Sequence, residues 1–160
     1  RVWPLIKPPF PAIEGAFRWL DPEIARLERS PRPPCLVHGD FRIGNMLYDD
    51  AGLTAVLDWE GVHIGEPEED LAWFCTRVWR FGVNELEAGG IASREEWLRA
   101  YEQASGLAVS RERVEAWEVL QNIRLAEITM MQALAHLDGH TVSHELAATG
   151  RRTAEPELAI

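Results

Sequence analysis

The chain has 160 residues, 46% of them apolar and 26% charged, which is long and apolar enough for a packed core and excludes a disordered chain. Sixteen basic against twenty-six acidic residues leave a net charge of -10. That balance excludes the basic face needed for non-specific nucleic-acid binding or for docking on anionic lipid. Cys35 and Cys75 each lie in an apolar run and are expected as two buried thiols rather than a disulfide. No apolar run approaches a membrane span and no basic-then-apolar leader opens the sequence, so a cytoplasmic protein without a membrane partner is expected. Nothing in the sequence specifies an oligomeric state.

The first eleven residues hold four prolines and are expected to run extended. Ile13, Phe17 and Leu20 are spaced for a helix, and Pro22 is expected to restart a second short helix through Ile24 and Leu27. Ser30 to Pro34 then ends the helical entry, and Cys35 to Val37 reads as a short buried strand. Met46 to Tyr48, a turn around Asp50 to Gly52, and Leu53 to Leu57 read as strand, turn, strand. Pro67 suits a first helical position, followed by an apolar face from Leu71 through Trp73 and Phe74 to Val78 and Trp79. Ser93 with Glu96 forms a capping box, and Ser110 opens a long helix that Asp138 and Gly139 stop near Leu137. A last helix broken near Gly150 or Pro156 closes the chain. The fold class is α+β, mainly α-helical, with a small β-hairpin region, and residues 1–160 form one domain.

The chemistry concentrates between the strands. Asp40 and Asn45 lie five positions apart in the loop His38 to Asn45, which a strand pins at each end. Asp58 stands where the next strand exits. Two aspartates and an asparagine amide make a hard-oxygen set that suits magnesium, whereas no Cys or His pair here has the spacing for zinc. Ordinary turn chemistry is the competing account, because Asp, Asn and Gly dominate loops. His63, His136, His140 and His144 read as surface or helix-end residues, and the seven tryptophans as mostly core, with Trp59 and Trp73 as candidates to line a pocket. The acidic run Glu66 to Asp70 reads as a solvated helix start.

"HGDFRIGN", then "LDWE", then "GEPEEDLAWF" resembles the carboxy-terminal lobe of the aminoglycoside phosphotransferase and choline kinase-like family, which has the protein-kinase-like fold. The "WRFG" segment and "GRRTAEPEL" resemble the branch related to domains fused to acyl-CoA dehydrogenases. The resemblance implies an ATP- and Mg2+-dependent phosphotransferase acting on a small-molecule hydroxyl. Asp40 matches the catalytic-loop aspartate that orients and deprotonates that hydroxyl, and Asn45 and Asp58 match the magnesium ligands. Arg42 is expected to neutralise charge on the γ-phosphate, as a bidentate guanidinium can. His38 is expected to brace the loop, and Asp70 matches a helix-start aspartate that fastens it through backbone hydrogen bonds.

The family grips its nucleotide mainly with a separate amino-terminal lobe, and thirty-four proline-rich residues before Cys35 cannot form one. The chain is therefore expected to be the catalytic half of a longer protein, transferring phosphate negligibly by itself. Two other readings compete. One is a pseudokinase or binding module without turnover. The other is a metal-dependent hydrolase using His38, Asp40, Asp58 and His63 as ligands.

Overall fold

The computed structural model describes residues 10–160. Most of the proline-rich opening expected to run extended lies outside them, and Pro11 already begins a helix. That helix, α1 (Pro11–Glu28), is continuous, so the expected restart at Pro22 does not occur. A proline forfeits one helical hydrogen bond and crowds the preceding turn, which bends a helix more readily than it ends one already anchored. Here Ile13, Ala16 and Leu20 anchor the preceding turns by burial.

The chain divides into two compact units: the described part of Arg1–Glu23 with Val119–Ile160, and Ile24–Glu118. The first is helical and contains the later part of α4 (Arg111–Leu137), α5 (His144–Arg151) and α6 (Ala154–Ala159). The last break falls at Arg152 and Thr153, not at Gly150 or Pro156. Gly150 instead marks a close approach between helices, since a Cβ there would lie 2.5 Å from that of Ala133. Pro156 sits in the first turn of α6, where no helical donor is needed. The Thr129 and Thr153 hydroxyls meet at 2.9 Å.

The second unit holds the four strands found among the described residues. β1 (Cys35–Val37) pairs antiparallel with β4 (His63–Gly65), and β2 (Met46–Asp49) pairs with β3 (Gly52–Val56). β1 is less buried than expected: Val37 is covered, but Leu36 is 61% exposed. A two-stranded ladder has only one face to turn inward, so alternate residues stay out. β4 went unread in the sequence because three residues carry too little pattern to stand out.

α2 (Pro67–Cys75) begins with Pro67 at its first position and stops before the expected Val78 and Trp79. Thr76 leaves the helix with ψ 133°, and Arg77–Arg80 forms a 3-10 turn. α3 (Arg94–Ser105) starts on the complete Ser93–Glu96 capping box. The Ser110 hydroxyl accepts from the Arg113 amide at the start of α4, which ends before Gly139 at φ 75°.

Two apolar clusters stabilise this unit. Leu71 and Ala72 pack with Leu98, Val109 and Val114. Phe74, Cys75 and Ala88 form the other, and Phe41 and Ile43 pack on it from the loop between β1 and β2, with Met46 at the start of β2. Both cysteines are free; Cys75 is buried and Cys35 half-buried. Burial pushes the Cys75 thiol up to about 12. The tryptophans are less uniformly core than expected: Trp73 is buried, while Trp19 and Trp59 are each 45% exposed.

Candidate active site

The loop from His38 to Asn45 is held against the turn Trp59–Gly61. Gly39 adopts φ 83°, and a Cβ there would stand 2.5 Å from the Gly61 carbonyl, so only glycine allows both the conformation and the approach. His38 is 2% exposed and braces the same junction. The Asp40 amide donates to His38 Nδ1 at 3.2 Å, which leaves the ring proton on Nε2, 2.9 Å from the Leu57 carbonyl.

α2 grips this loop with one face. Asp70 and Trp73 are three residues apart, hence neighbours on a helix. The Asp70 carboxylate accepts from the backbone amides of His38 at 2.7 Å and Gly39 at 3.0 Å. The Trp73 indole N–H donates to Asp40 Oδ1 at 2.8 Å. Two side chains of one helix thus hold three consecutive loop residues, two by backbone and one by carboxylate.

Asp40 receives two more donors. Asn45 Nδ2 bonds Asp40 Oδ2 at 2.7 Å and the Asp40 carbonyl at 2.9 Å. Arg42 Nε lies 3.2 and 3.1 Å from the two carboxylate oxygens, and its guanidinium sits 4.8 Å above the Trp79 ring. Trp79 in turn meets Trp73 edge-on, with ring centres 5.3 Å apart. The Asp40 and Arg42 side chains keep 27% and 26% of their surface exposed, so the carboxylate stays open to a ligand.

Asp58 arrives through strand register. β2 and β3 pair Met46 with Val56, and the Leu57 amide then donates to the Asn45 carbonyl at 2.8 Å. Asn45 and the residue following Leu57 are thereby brought to the same end of the hairpin. Asp58 adopts the left-handed conformation, φ 66° and ψ 57°, which costs most side chains about 1–2 kcal/mol. Its carboxylate is exposed, and neither it nor Asn45 Oδ1 has a hydrogen bond or ion pair among the described residues. Two uncommitted hard oxygens at one end of the hairpin fit a magnesium ion, which takes few protein ligands and keeps its waters.

The acidic run on α2 departs from the solvated helix start expected of it. Glu68 is 0% and Glu69 7% exposed. Glu66 accepts from Arg113 at 2.8 Å, and Arg113 also caps the carbonyls of Leu27 and Ser30. Glu68 accepts from the Ser110 amide and pairs with Arg32 at 3.2 Å. Glu69 binds His63 Nε2 at 3.0 Å, while His63 Nδ1 meets the Gly61 carbonyl at 2.9 Å. Those contacts hold the imidazole above its usual pKa, the Gly61 bond more than the Glu69 one.

With both ring nitrogens of His38 and His63 engaged, the hydrolase ligand set His38, Asp40, Asp58 and His63 does not assemble. No group of three His, Cys, Asp or Glu residues among those described is placed to hold a metal. Sequence reasoning treated Trp73 as core or pocket lining and missed its bond to Asp40, 33 residues away. The Asp70-to-Trp73 spacing on one helix face was the only available signal.

The sequence matches the Phosphotransferase enzyme family over residues 3–117. Acyl-CoA dehydrogenase family member 10 of Mus musculus is 33% identical over 57% of this chain and 9% of its own length. Acyl-CoA dehydrogenase family member 11 of Gallus gallus is 29% identical over 92% of this chain and 21% of its own length. A crystal structure from Ralstonia eutropha assigned as an aminoglycoside phosphotransferase superposes with a TM-score of 0.77 at 24% identity, over 96% of this chain and 49% of that one. A thermostable mutant of aminoglycoside phosphotransferase APH(4)-Ia in its apo form gives 0.51 at 24% identity, over 96% and 46%. The chain spans about half the length of these solved structures and about a fifth or less of the curated relatives. The structural likeness shows the kinase-like fold, and the sequence match over most of the chain shows its kin: this chain belongs to the Phosphotransferase enzyme family.

Proposed function

We propose that the chain is the catalytic half of a cytoplasmic, ATP- and Mg2+-dependent kinase that phosphorylates a hydroxyl group on a small molecule. The observation that carries this reading is Asp40 itself: an open carboxylate aimed by Trp73 and Asn45, on a loop fastened by Asp70. In phosphoryl transfer the protein chiefly positions the nucleophile and offsets charge, and a rigidly held carboxylate beside an arginine is suited to both tasks. Asp40 orients the acceptor hydroxyl and takes its proton. Arg42, now paired with Asp40, swings to the transferred phosphate. Asn45 Oδ1 and Asp58 would hold the magnesium ion, which when bound would neutralise charge on the nucleotide phosphates. His38 and Asp70 keep the loop in place throughout.

Nucleotide and acceptor classes draw support from a solved neighbour. A mutant of APH(4)-Ia, related to this chain by a TM-score of 0.51 over 47% of its length, is a ternary complex with ADP and hygromycin B. In this reading the main nucleotide grip is supplied by a separate lobe that is not among the described residues. The hairpin β2–β3 supports that assignment, because Leu47, Tyr48 and Leu53 are 51%, 76% and 60% exposed beside the site. A cluster of large apolar side chains this open suits a covering surface or a ligand ring.

The test is ADP release by the full-length protein carrying this chain, screened over small alcohols and aminoglycosides with Mg-ATP. Acceptor-dependent release that Asp40→Asn lowers by about 10²–10⁴-fold is expected. Equal rates in the wild type and Asp40→Asn would refute the assignment.

A further inference from the structure

The donors on Asp40 differ in one respect that the resemblance to kinases does not supply. Trp73 is 3% exposed and Asn45 5%, and each contacts a different carboxylate oxygen: Trp73 takes Oδ1 and Asn45 takes Oδ2. Arg42 spans both oxygens but remains 26% exposed. Buried hydrogen bonds face little competition from water, whereas a half-open guanidinium pair is readily exchanged for another anion. Arg42 also has a place to rest, over the face of Trp79. The Trp79 indole N–H is buried without an acceptor among the described residues, so this ring contributes its face rather than its donor.

We infer that Trp73 is the positioning residue that keeps Asp40 aimed when Arg42 departs, so that Arg42 is the displaceable partner and the indole the permanent one. This rests on the role of Asp40 proposed above. With Arg42 on Asp40, both oxygens are occupied on the open side. When an anionic phosphoryl group draws Arg42 away, each oxygen keeps one fixed donor and frees a lone pair toward solvent. An acceptor hydroxyl then meets a carboxylate that has not rotated. A carboxylate held by Asn45 alone would turn about its Cβ–Cγ bond, because one contact leaves that torsion free.

The experiment uses the full-length protein. Trp73→Phe keeps an aromatic ring in the buried site while removing the N–H together with the five-membered ring that carries it, and Trp117→Phe makes the same truncation. Trp73→Phe is expected to lower kcat on the order of tenfold while KM for ATP stays within about twofold, since the lost contact positions a reacting group rather than the nucleotide. Trp117→Phe removes an indole bond to a different carboxylate, Glu66, 3.3 Å away, and is expected to leave kcat unchanged. In parallel, the Trp73 indole resonance in a ¹⁵N-labelled sample is expected to move upfield in Asp40→Ala and hardly at all in Arg42→Ala. That arm stands even where Trp73→Phe folds poorly. An active wild type with an unaffected Trp73→Phe, or an indole resonance indifferent to Asp40→Ala, overturns this inference alone. Absence of ADP release from the wild type with every acceptor overturns the kinase reading and this inference together.

Discussion

Asp70→Ala should open the loop before Asp40 without unfolding the protein. The Asp70 carboxylate accepts two amides, from His38 at 2.7 Å and Gly39 at 3.0 Å, both at geometries of full hydrogen bonds. Hydrogen bonds to a charged group contribute about 1.5–3 kcal/mol each. Asp70 is half-buried, so the lower end applies and the pair contributes about 3 kcal/mol. Alanine offers neither amide an acceptor, and the rigid Gly39 backbone cannot turn elsewhere because the Gly61 carbonyl crowds it. At 1.4 kcal/mol per factor of ten, local opening should become about a hundredfold more frequent. Amide hydrogen exchange reads this directly: His38 and Gly39 should exchange about a hundredfold faster, while Leu98 in the α3 core keeps its wild-type rate. Less than about a threefold change at the two loop amides, or equal acceleration at Leu98, would refute the idea that Asp70 acts locally on the loop.

Two further outcomes follow from named geometry. Asp58→Gly relieves a left-handed conformation that Asp tolerates better than most side chains, against about 0.4–1 kcal/mol for the looser unfolded chain, so the two nearly offset and Tm should hold while ADP release is lost; a Tm that falls by much more than that entropic cost would contradict the strain at this position. His63 is held above its usual pKa by the Gly61 carbonyl and then Glu69, so its contribution is complete below about pH 6.5 and fades as pH climbs through the raised folded value. Thermal melts across pH should show the gap between wild type and His63→Gln constant below that point and narrowing above it; a gap that does not narrow would refute the ion pair.

Legibility followed distance along the chain. The Ser93–Glu96 capping box, Pro67 at a helix start and the Met46-to-Leu57 hairpin were readable because each is decided by residues within a few positions. The loop residues Asp40 and Asn45 were readable as a pair for the same reason. Their company was not. β4 pairs with β1 across the whole loop and hairpin, and three residues gave no period to detect. Pro22 looked like a break because a proline's local cost is visible in sequence, whereas the burial that carries a helix through it is not. The acids of Glu66 to Glu69 looked solvated because charge is local and its partners, Arg113, Arg32 and His63, are not.

By itself, then, the sequence determined which residue types stand at the site and in what order, through turn chemistry, capping and strand alternation acting over short spans. Tertiary structure alone decided how they are held. It set Asp58 in a left-handed conformation at the hairpin end, and it aimed two side chains of α2 at three residues of one loop. The physical reason is that hydrogen bonds and burial count only distance in space. Trp73 and Asp40 are 33 positions apart in the chain and 2.8 Å apart in the fold.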